Sequence, residues 1–408
     1  MEYLTPDVYV HEVPGGTRPI EAVGTSGAAL LGTAPKADAP KLEPTLITSW
    51  HAFVERFVGP LDAARPPRST PLVHAVRGFF ENGGGRVFVV HLTDPSELQA
   101  GLDRLRSEDG AQIVAAPGAT DFASYEALAS HCAACGDRVA ILDAPQQVDD
   151  LTSLTKTGSV AAPADPPTEG GSPRTRSTRS TAVGPPRQAD GYAAYYYPWI
   201  LVRDVLDPKA APVAVPPSGH IAGLYARTDA TRGVHKAPAN EMLRGALGVT
   251  HRLDGEQQKL LNPQGVNAIR HFTDQGIVVW GARTVAPSSS EFRYVNVRRL
   301  TNMIKQSIQR STRWIVFEPN DDRLWALVKR DLEAFLLTIW RDGALRGTTP
   351  EQAFFVKCDA ETNSRESIDA GRLTALIGIS PVKPAEFVIF QISQEVPAAA
   401  AETTEEEA

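Results

Sequence analysis

The chain has 408 residues, which is long enough for two or more folding units with buried cores. Its apolar fraction of 42% and charged fraction of 22% are those of a globular protein, and its formal net charge of −7 argues against a nucleic-acid binder that relies on a large basic excess. The N-terminus has neither the basic start nor the apolar run of a secretory signal, and no stretch approaches the roughly 18 apolar residues of a membrane span. We therefore expect synthesis in the cytoplasm, with release only through cell lysis.

Residues 1–20 have the pattern of an extended arm. Apolar side chains at Tyr3, Val8 and Val10 alternate with polar residues, and the prolines at positions 6, 14 and 19 exclude a helix. Gly15 and Gly16 supply a flexible joint behind the arm. Because such a strand has no partner in its own segment, its backbone groups are expected to pair with a sheet edge elsewhere.

Residues 21–215 alternate between strand and helix patterns. Helix starts are indicated by Thr70, Asp94 and Asp121, each followed by a helix-compatible run. Strands are predicted at 28–34, 86–92, 111–116, 138–143 and 199–203. This alternation predicts a middle α/β domain in which helices pack on a largely parallel sheet.

Residues 156–190 interrupt this domain with a stretch rich in Pro, Gly, Ser and Thr. It has too few large apolar residues to offset its ordering entropy, so it is predicted to be a mobile, disordered surface loop. The locally basic run at 174–180 is interpreted as a solvated linker, with a contact to an acidic surface or nucleic acid as the alternative.

Residues 216–394 are predicted to form a second α/β domain, followed by a disordered acidic tail at 395–408. A long amphipathic helix begins at Asn320 or Asp321 and ends at Gly343. The segment GVHKAPANE is expected to form a turn and a capped helix entry, with Lys236 and Asn240 making loop contacts. Strands are predicted at 277–280, 314–317, 354–357, 373–379 and 387–392.

A search for catalytic motifs finds no phosphate-binding loop, no dinucleotide fingerprint, no nucleophile elbow and no H-E-x-x-H. Cys132 and Cys135 form a C-x-x-C beside His131, which we interpret as small core thiols in preference to a metal or redox site. With Cys358 they are too few for a disulfide framework. We expect no cofactor, metal or catalytic residue, although a soluble α/β enzyme (a hydrolase or nucleotide-binding protein) without a recognisable motif stays open.

A series of longer segments is more specific than any of these motifs. It resembles the contractile tail sheath family of bacteriophages, R-type bacteriocins and phage tail-like injection systems. The segments cover the N-terminal arm and most of 192–394 in the family's order, whereas 35–190 matches only in general pattern. They include YLTPDVYVHEV, YAAYYYPWILV, VPPSGHIAGLYARTDATRGVHKAPANE, LNPQGVNAIRHF, TRWIVFEPND and GISPVKPAEFVIFQISQ.

The resemblance implies a structural protein and not an enzyme. Its subunits would stack as six-fold rings into a metastable helical sheath around an inner tube, and a baseplate signal would trigger contraction that drives the tube through a target envelope. The implied partners are further copies of the chain, the inner tube protein, and baseplate and cap proteins, without nucleic acid or direct membrane insertion. The particle would assemble in the bacterial cytoplasm, and the short chain favours an injection system or bacteriocin-like particle over a phage tail.

The resemblance also implies which residues join subunits. In this family the N-terminal arm and a C-terminal strand add to the sheets of neighbouring subunits. The implied interface residues are Tyr3, Val8, Tyr9, Val10 and Glu12 in the arm, and Phe387, Ile389, Phe390 and Ile392 near the C-terminus. The basic segment 295–311 has two interpretations: a solvated helix face, or a contact of Arg298, Arg299, Lys305 and Arg310 with a neighbour or the inner tube.

Overall fold

A computed structural model of the chain describes residues 19–60, 69–158, 182–207 and 209–387. The strands are β1 (Ala28–Gly32), β2 (Thr45–Ile47), β3 (Val87–His91), β4 (Ile113–Ala115), β5 (Val139–Asp143), β6 (Ala193–Tyr197), β7 (Ile200–Val202), β8 (Val213–Val215), β9 (Glu241–Met242), β10 (Ala246–Val249), β11 (Val266–Phe272), β12 (Gly276–Trp280), β13 (Phe354–Lys357) and β14 (Leu376–Ile379). The helices are α1 (Trp50–Phe53), α2 (Pro71–Glu81), α3 (Leu98–Leu105), α4 (Phe122–Cys135), α5 (Ser218–Arg232), α6 (Gly255–Leu261), α7 (Val295–Ser311), α8 (Asp322–Arg341), α9 (Pro350–Ala353) and α10 (Arg365–Asp369).

A nine-stranded sheet forms the centre of the fold, with strand order β2-β3-β1-β4-β5-β6-β11-β12-β9. The strands from β3 to β11 in this order run parallel, and β2, β12 and β9 are antiparallel additions at the two edges. The predicted α/β class and the predicted strands at 28–34, 86–92, 111–116 and 138–143 are therefore confirmed. The predicted strand at 199–203 is also present as β7, but it lies in a separate three-stranded antiparallel sheet, β10-β7-β8.

The boundary predicted between residues 215 and 216 is wrong. Strand β11 pairs in parallel with β6, so that Val266 lies opposite Tyr195, and β12 and β9 extend the same sheet. Strands on both sides of residue 215 thus share one hydrogen-bonded ladder. The sequence did not predict β6 or β11 as strands, because β6 is buried along its whole length and shows no alternation of apolar and polar residues.

Two helical layers cover the faces of this sheet. Helices α2 and α5 pack on one face, with Phe79, Ile221 and Tyr225 among their buried side chains, and α3 and α4 pack on the other through Leu102 and Leu128. The predicted N-caps are confirmed: Thr70, Asp94 and Asp121 each accept a hydrogen bond from a backbone N–H of the following turn. A 3₁₀ turn at Pro95–Glu97 precedes α3.

A third hydrophobic core joins α7 and α8 to the two-stranded antiparallel sheet β13-β14. Asp321 caps α8 through the Leu324 N–H, and Gly343 follows its end in a left-handed conformation, as expected. Ile20, at the start of the described chain, is buried in the same core. The N-terminal segment is therefore attached to the C-terminal helices.

Two sequence predictions fail near this core. The stretch 314–317 is not a strand: Arg313–Ile315 is a 3₁₀ turn, and Phe317 has a left-handed φ of 73°, which is incompatible with an extended ladder. The segment GVHKAPANE forms a turn, within which Lys236 Nζ donates to two carbonyl oxygens, but it leads into β9 and not into a helix. Of the predicted strand 387–392, only Phe387 lies among the described residues, and it is not in a strand.

The predicted loop at 156–190 is closed at its base. Thr157 and Gly184 form a parallel bridge, and Gly184 donates its N–H to the Lys156 carbonyl oxygen. Residues 159–181, with the basic run, lie outside the described residues. Among the helices of the described chain, none is long and apolar enough to cross a bilayer.

Close packing of α2 and α5 depends on glycine at Gly219. A Cβ atom built there would lie 2.3 Å from the Cα atom of Ala75 in α2, so backbone would have to move. We expect Gly219→Ala to lower the free energy of unfolding by about 1–3 kcal/mol, the range for an overpacked core. Gly255→Ala, where no atom lies within 4 Å of the added Cβ, is the matched control. Equal urea midpoints for the two variants would contradict this account.

His220 makes the stability of the same helix pair pH-dependent. Burial, with a smaller contribution from the neighbouring His74, lowers the pKa of His220 to about 3. Because the pKa in the folded state lies below that of the unfolded chain, its contribution to stability is present above about pH 6.5 and is lost as the pH falls towards 3. We expect wild type to lose about 3 kcal/mol relative to His220→Gln between pH 7 and pH 4. The free energies of unfolding of wild type and His220→Gln are measured by urea titration at each pH. A difference between them that does not change with pH would contradict the prediction.

Candidate assembly surfaces

The sheet β13-β14 has one face in the third core and the other face open. Val356 and Ile377 point towards α8 and its neighbours, whereas Phe355 and Leu376 are 54% and 52% exposed. The Phe355 ring lies over Gly378, where a Cβ would come within 2.0 Å of it. Among the residues that the structure describes, the strands β13 and β14 pair only with each other, so neither has a second partner strand. Just beyond β14, Pro381 forms an antiparallel bridge with Leu345, so the outer edge is free only along β14 itself.

The end of the described chain is held by a charged anchor built on Glu386. Its carboxylate accepts hydrogen bonds from Arg283 at 2.6 and 2.8 Å, from Asn262 Nδ2 at 2.8 Å and from the Tyr294 hydroxyl at 3.0 Å. Burial acts to raise the pKa of Glu386, but the hydrogen bonds from Arg283 and Asn262 outweigh it and hold the pKa below its usual range. The anchor fixes the position of Phe387, which is 74% exposed and precedes the other implied C-terminal interface residues.

The start of the described chain is held at the opposite end of α7. The backbone N–H of Glu21 donates to Ser311 Oγ at 3.3 Å, and that of Val23 donates to Ser307 Oγ at 3.0 Å. The arm residues Tyr3, Val8, Tyr9, Val10 and Glu12 lie outside the described residues, as do Ile389, Phe390 and Ile392. The structure therefore gives the two points from which the predicted linking segments depart.

Two of the four basic residues predicted to touch a neighbour or the tube are inside the subunit. Arg299 is 4% exposed and forms a bidentate ion pair with Asp229 at 2.6 and 2.8 Å. Arg298 is 3% exposed, between the rings of Tyr192 and Phe292 at 4.5 and 4.0 Å. Their assignment to an exposed contact surface is therefore wrong, because both guanidinium groups have internal partners.

The other two basic residues of α7 do reach the surface. Lys305 is exposed, and Arg310 forms an ion pair of 3.3 Å with the exposed Asp109. The helix carries its buried arginines near its start and its accessible cations in its second half. Sequence alone could not separate them, because all four belong to one basic helical segment.

An open groove of about 920 Å³ lies beside the Glu386 anchor. Its floor includes Trp280, Ala282 and Pro384, and Tyr294 and Asn296 at the start of α7 form one wall. Arg232 and Lys383 lie at its rim and form no ion pair within the described part of the chain. No sequence pattern predicted this groove, since its lining comes from five separate stretches of the chain.

Cys132 of the C-x-x-C motif and the adjacent His131 are buried in the subunit. Cys132 is fully buried in the α4 face of the central sheet, and burial raises the pKa of its thiol well above the usual range. Burial lowers the pKa of His131 to about 4, helped by the charge of Arg138. No group of three or more His, Cys, Asp or Glu side chains in the described ranges could hold a metal ion.

Comparison with known proteins connects these surfaces to a family. Residues 174–285 match the phage tail sheath protein central domain, and residues 287–395 match the phage tail sheath C-terminal domain. The helical sheath of the anti-feeding prophage (AFP) in its contracted state is 31% identical, with a TM-score of 0.71 over 96% of this chain and 100% of that chain. This chain belongs to the contractile tail sheath family.

Other relatives support the same assignment. The sheath complex of an extracellular contractile injection system, PVC, in its contracted state is 27% identical, with a TM-score of 0.77 over 97% of this chain and 99% of that chain. The tail sheath protein of Vibrio phage KVP40 is 32% identical over 178 residues, which are 43% of this chain and 26% of that protein. The sheath subunit described here thus matches about a quarter of the length of that phage protein. The two matched domains meet near residue 286. This point follows β12, which is the last strand of the central sheet in chain order.

The Glu386 anchor can be tested in the isolated subunit. Glu386→Gln leaves Arg283, whose side chain is 8% exposed, without its carboxylate partner. We expect a loss of about 1–3 kcal/mol in the free energy of unfolding, the usual value for a hydrogen bond to a charged group. Glu256→Gln, which breaks an ion pair whose side chains are 73% and 81% exposed, should change stability by less than about 1 kcal/mol. Urea unfolding measures the loss of stability in each variant. Equal losses in the two variants would contradict the proposed role of Glu386 as an anchor.

Proposed function

We propose that this chain is the sheath subunit of a phage tail-like contractile injection system. It polymerises as stacked six-fold rings into a helical sheath around an inner tube, and it contracts on a baseplate signal to drive the tube through a target envelope. The observation that carries the proposal is the two-stranded sheet β13-β14 in a chain of the sheath family: within the described residues, neither strand has a second partner strand.

The linkage between subunits is proposed to be strand addition to this sheet. An exposed edge accepts backbone hydrogen bonds from an extended segment, which is how β-augmentation joins chains. The donors are the N-terminal arm with Tyr3, Val8, Tyr9, Val10 and Glu12 and the C-terminal strand with Phe387, Ile389, Phe390 and Ile392. Because one subunit both donates and accepts strands at different places, the contact does not close on itself and propagates as a helix.

Contraction is proposed to use energy stored in the extended polymer. The linking strands stay paired while the bodies of the subunits swing, so the sheath shortens without falling apart. The extended form is held by a kinetic barrier that the baseplate removes. The AFP and PVC relatives are sheaths in the contracted state, and one AFP relative, 28% identical, is a baseplate in its contracted state.

The inner tube, baseplate and cap proteins are the proposed further partners. The exposed Lys305 and the half-buried Arg310 of α7 are candidates for a polar contact with the tube or a neighbour, because a contact that must slide should release easily. Assembly in the bacterial cytoplasm and release by lysis belong to the same proposal. The proposed role needs neither nucleic-acid binding nor membrane insertion, and no observation favours a soluble α/β enzyme.

The arm can be tested by truncation. Deleting residues 2–12 should leave a folded subunit, because Ile20 and all three described cores remain. It should abolish tube formation, since backbone hydrogen bonds of about 0.5–1.5 kcal/mol each are lost at every contact of the polymer. Circular dichroism and negative-stain electron microscopy are the measurements. A truncated protein that still builds normal sheaths would exclude this linkage.

A pair of point variants tests the same strand pairing without removing residues. Val8→Pro removes one ladder donor and should weaken assembly without changing the melting temperature of the monomer. Val8→Thr keeps the donor and the β-branched shape, so it should assemble close to wild type.

A further inference from the structure

The turn after α7 exposes an aromatic side chain completely. Phe317 is 102% exposed, and its neighbour Val316 is 63% exposed. Phe317 also has a φ of 73°, in the left-handed region that a bulky residue rarely adopts. A fully exposed ring on a strained backbone needs a reason, because neither feature stabilises the isolated subunit.

The turn that carries this ring is held by hydrogen bonds within it and to neighbouring elements. The Glu318 N–H donates to the Ile315 carbonyl oxygen at 3.0 Å. Asn320 accepts from Trp325 Nε1 at 2.7 Å and donates to the Arg372 carbonyl oxygen at 3.0 Å. The backbone around Phe317 is therefore held by hydrogen bonds, so a partner would not have to order this turn on binding.

The groove beside the Glu386 anchor has the chemistry that such a ring requires. Its floor offers the Trp280 ring, which is 37% exposed, together with Ala282 and Pro384. The rim cations Arg232 and Lys383 can lie over an aromatic face and can meet the carboxylate of Glu318, the residue that follows Phe317. Its volume of about 920 Å³ is ample for a phenyl ring and its flanking residues.

The ring and the groove lie at opposite ends of one helix. The groove includes Tyr294 and Asn296 at the start of α7, and the Phe317 turn follows its end at Ser311. A helix of 17 residues is about 25 Å long, so a subunit cannot insert its own ring into its own groove without rebuilding α7. A ring at one end and a groove at the other suit a head-to-tail contact, which propagates without closing.

We propose that Phe317 of one subunit inserts into the Trp280 groove of a second copy of this chain. The inference rests on the proposed function for the presence of a homopolymer, but it assigns a contact separate from the linking strands. It gives the bodies of adjacent subunits an aromatic contact of their own, beside the backbone pairing of the arms. The exposed turn is then a buried contact in the assembled particle.

A double-mutant cycle tests the contact. Phe317→Ala and Trp280→Ala are each expected to raise the critical concentration for polymerisation, measured by sedimentation, about tenfold, the effect of losing part of one buried aromatic contact. The double variant should be no worse than either single variant, because both remove the same contact. Leu46→Ala, which truncates a 50% exposed leucine on β2, is the control and should polymerise like wild type.

Other results would overturn the proposal. Additive effects in the double variant would show that the ring and the groove contact different partners. Normal polymerisation of Phe317→Ala, with loss of binding to the inner tube protein, would assign the ring to the tube. If every variant keeps the circular dichroism spectrum and urea midpoint of wild type, a folding defect is not the cause of its change in polymerisation.

A crosslinking experiment separates failure of this contact from failure of the proposed function. Differently tagged Phe317→Cys and Ala385→Cys subunits, both with Cys135→Ser, should form mixed disulfide dimers on oxidation, because Ala385 lies in the groove wall. Subunits that crosslink without forming tubes would support the contact and contradict the sheath function. Tubes without crosslinks would contradict the contact and leave the function intact.

Discussion

The buried ion pair between Arg299 and Asp229 connects the parts of the molecule on which assembly depends. It joins α7 to α5, and Thr25 completes it by donating to Asp229 at 2.5 Å and accepting from Arg299 through its carbonyl oxygen at 3.1 Å. The guanidinium also lies 4.8 Å from the centre of the Tyr225 ring. Removing one partner of such a pair leaves an uncompensated buried charge, at a cost of about 3–5 kcal/mol. The N-terminal segment, α5 and α7 thus meet at this ion pair.

The position of α7 in turn sets where a subunit can contact its neighbours. One end of the helix holds the departing N-terminal segment through Ser307 and Ser311, and its start forms a wall of the groove beside the Glu386 anchor. The attachment points of the two linking segments are therefore separated by the length of the helix. In a sheath, this separation would let a body rotate as a unit while both linking segments stay attached. Rigidity of the body is useful here, because motion is then confined to the joints between copies.

The chemistry of the two proposed linkages differs in a way that suits contraction. Strand pairing uses backbone groups, so it tolerates side-chain variation and persists when the bodies change orientation. An aromatic ring in a groove depends on the relative position of two bodies, so it can favour one state of the polymer over another. A metastable sheath needs both kinds of contact: one that is kept throughout and one that distinguishes the states.

Much of this protein could be predicted from its sequence, for identifiable physical reasons. The parallel strands β1, β3, β4 and β5 are short apolar runs between capped helices, and the caps Thr70, Asp94 and Asp121 act through neighbouring backbone groups. The family followed from long segments in a fixed order, chiefly in 192–394. These are properties of contiguous residues, and a single sequence contains all the information that they require.

Tertiary structure alone decided the rest, because it depends on which distant residues meet. Arg298 and Arg299 are buried while Lys305 is exposed, although one helical segment carries all three, since Tyr192 and Asp229 come from other elements. The sheet continues past residue 215 because β11 pairs with β6 across about 70 residues of chain. Phe317 belongs to an apolar run that predicted a strand, yet the turn after α7 directs it into solvent. Local sequence therefore determined the elements and the family, and long-range packing determined which side chains reach the surface where subunits can meet.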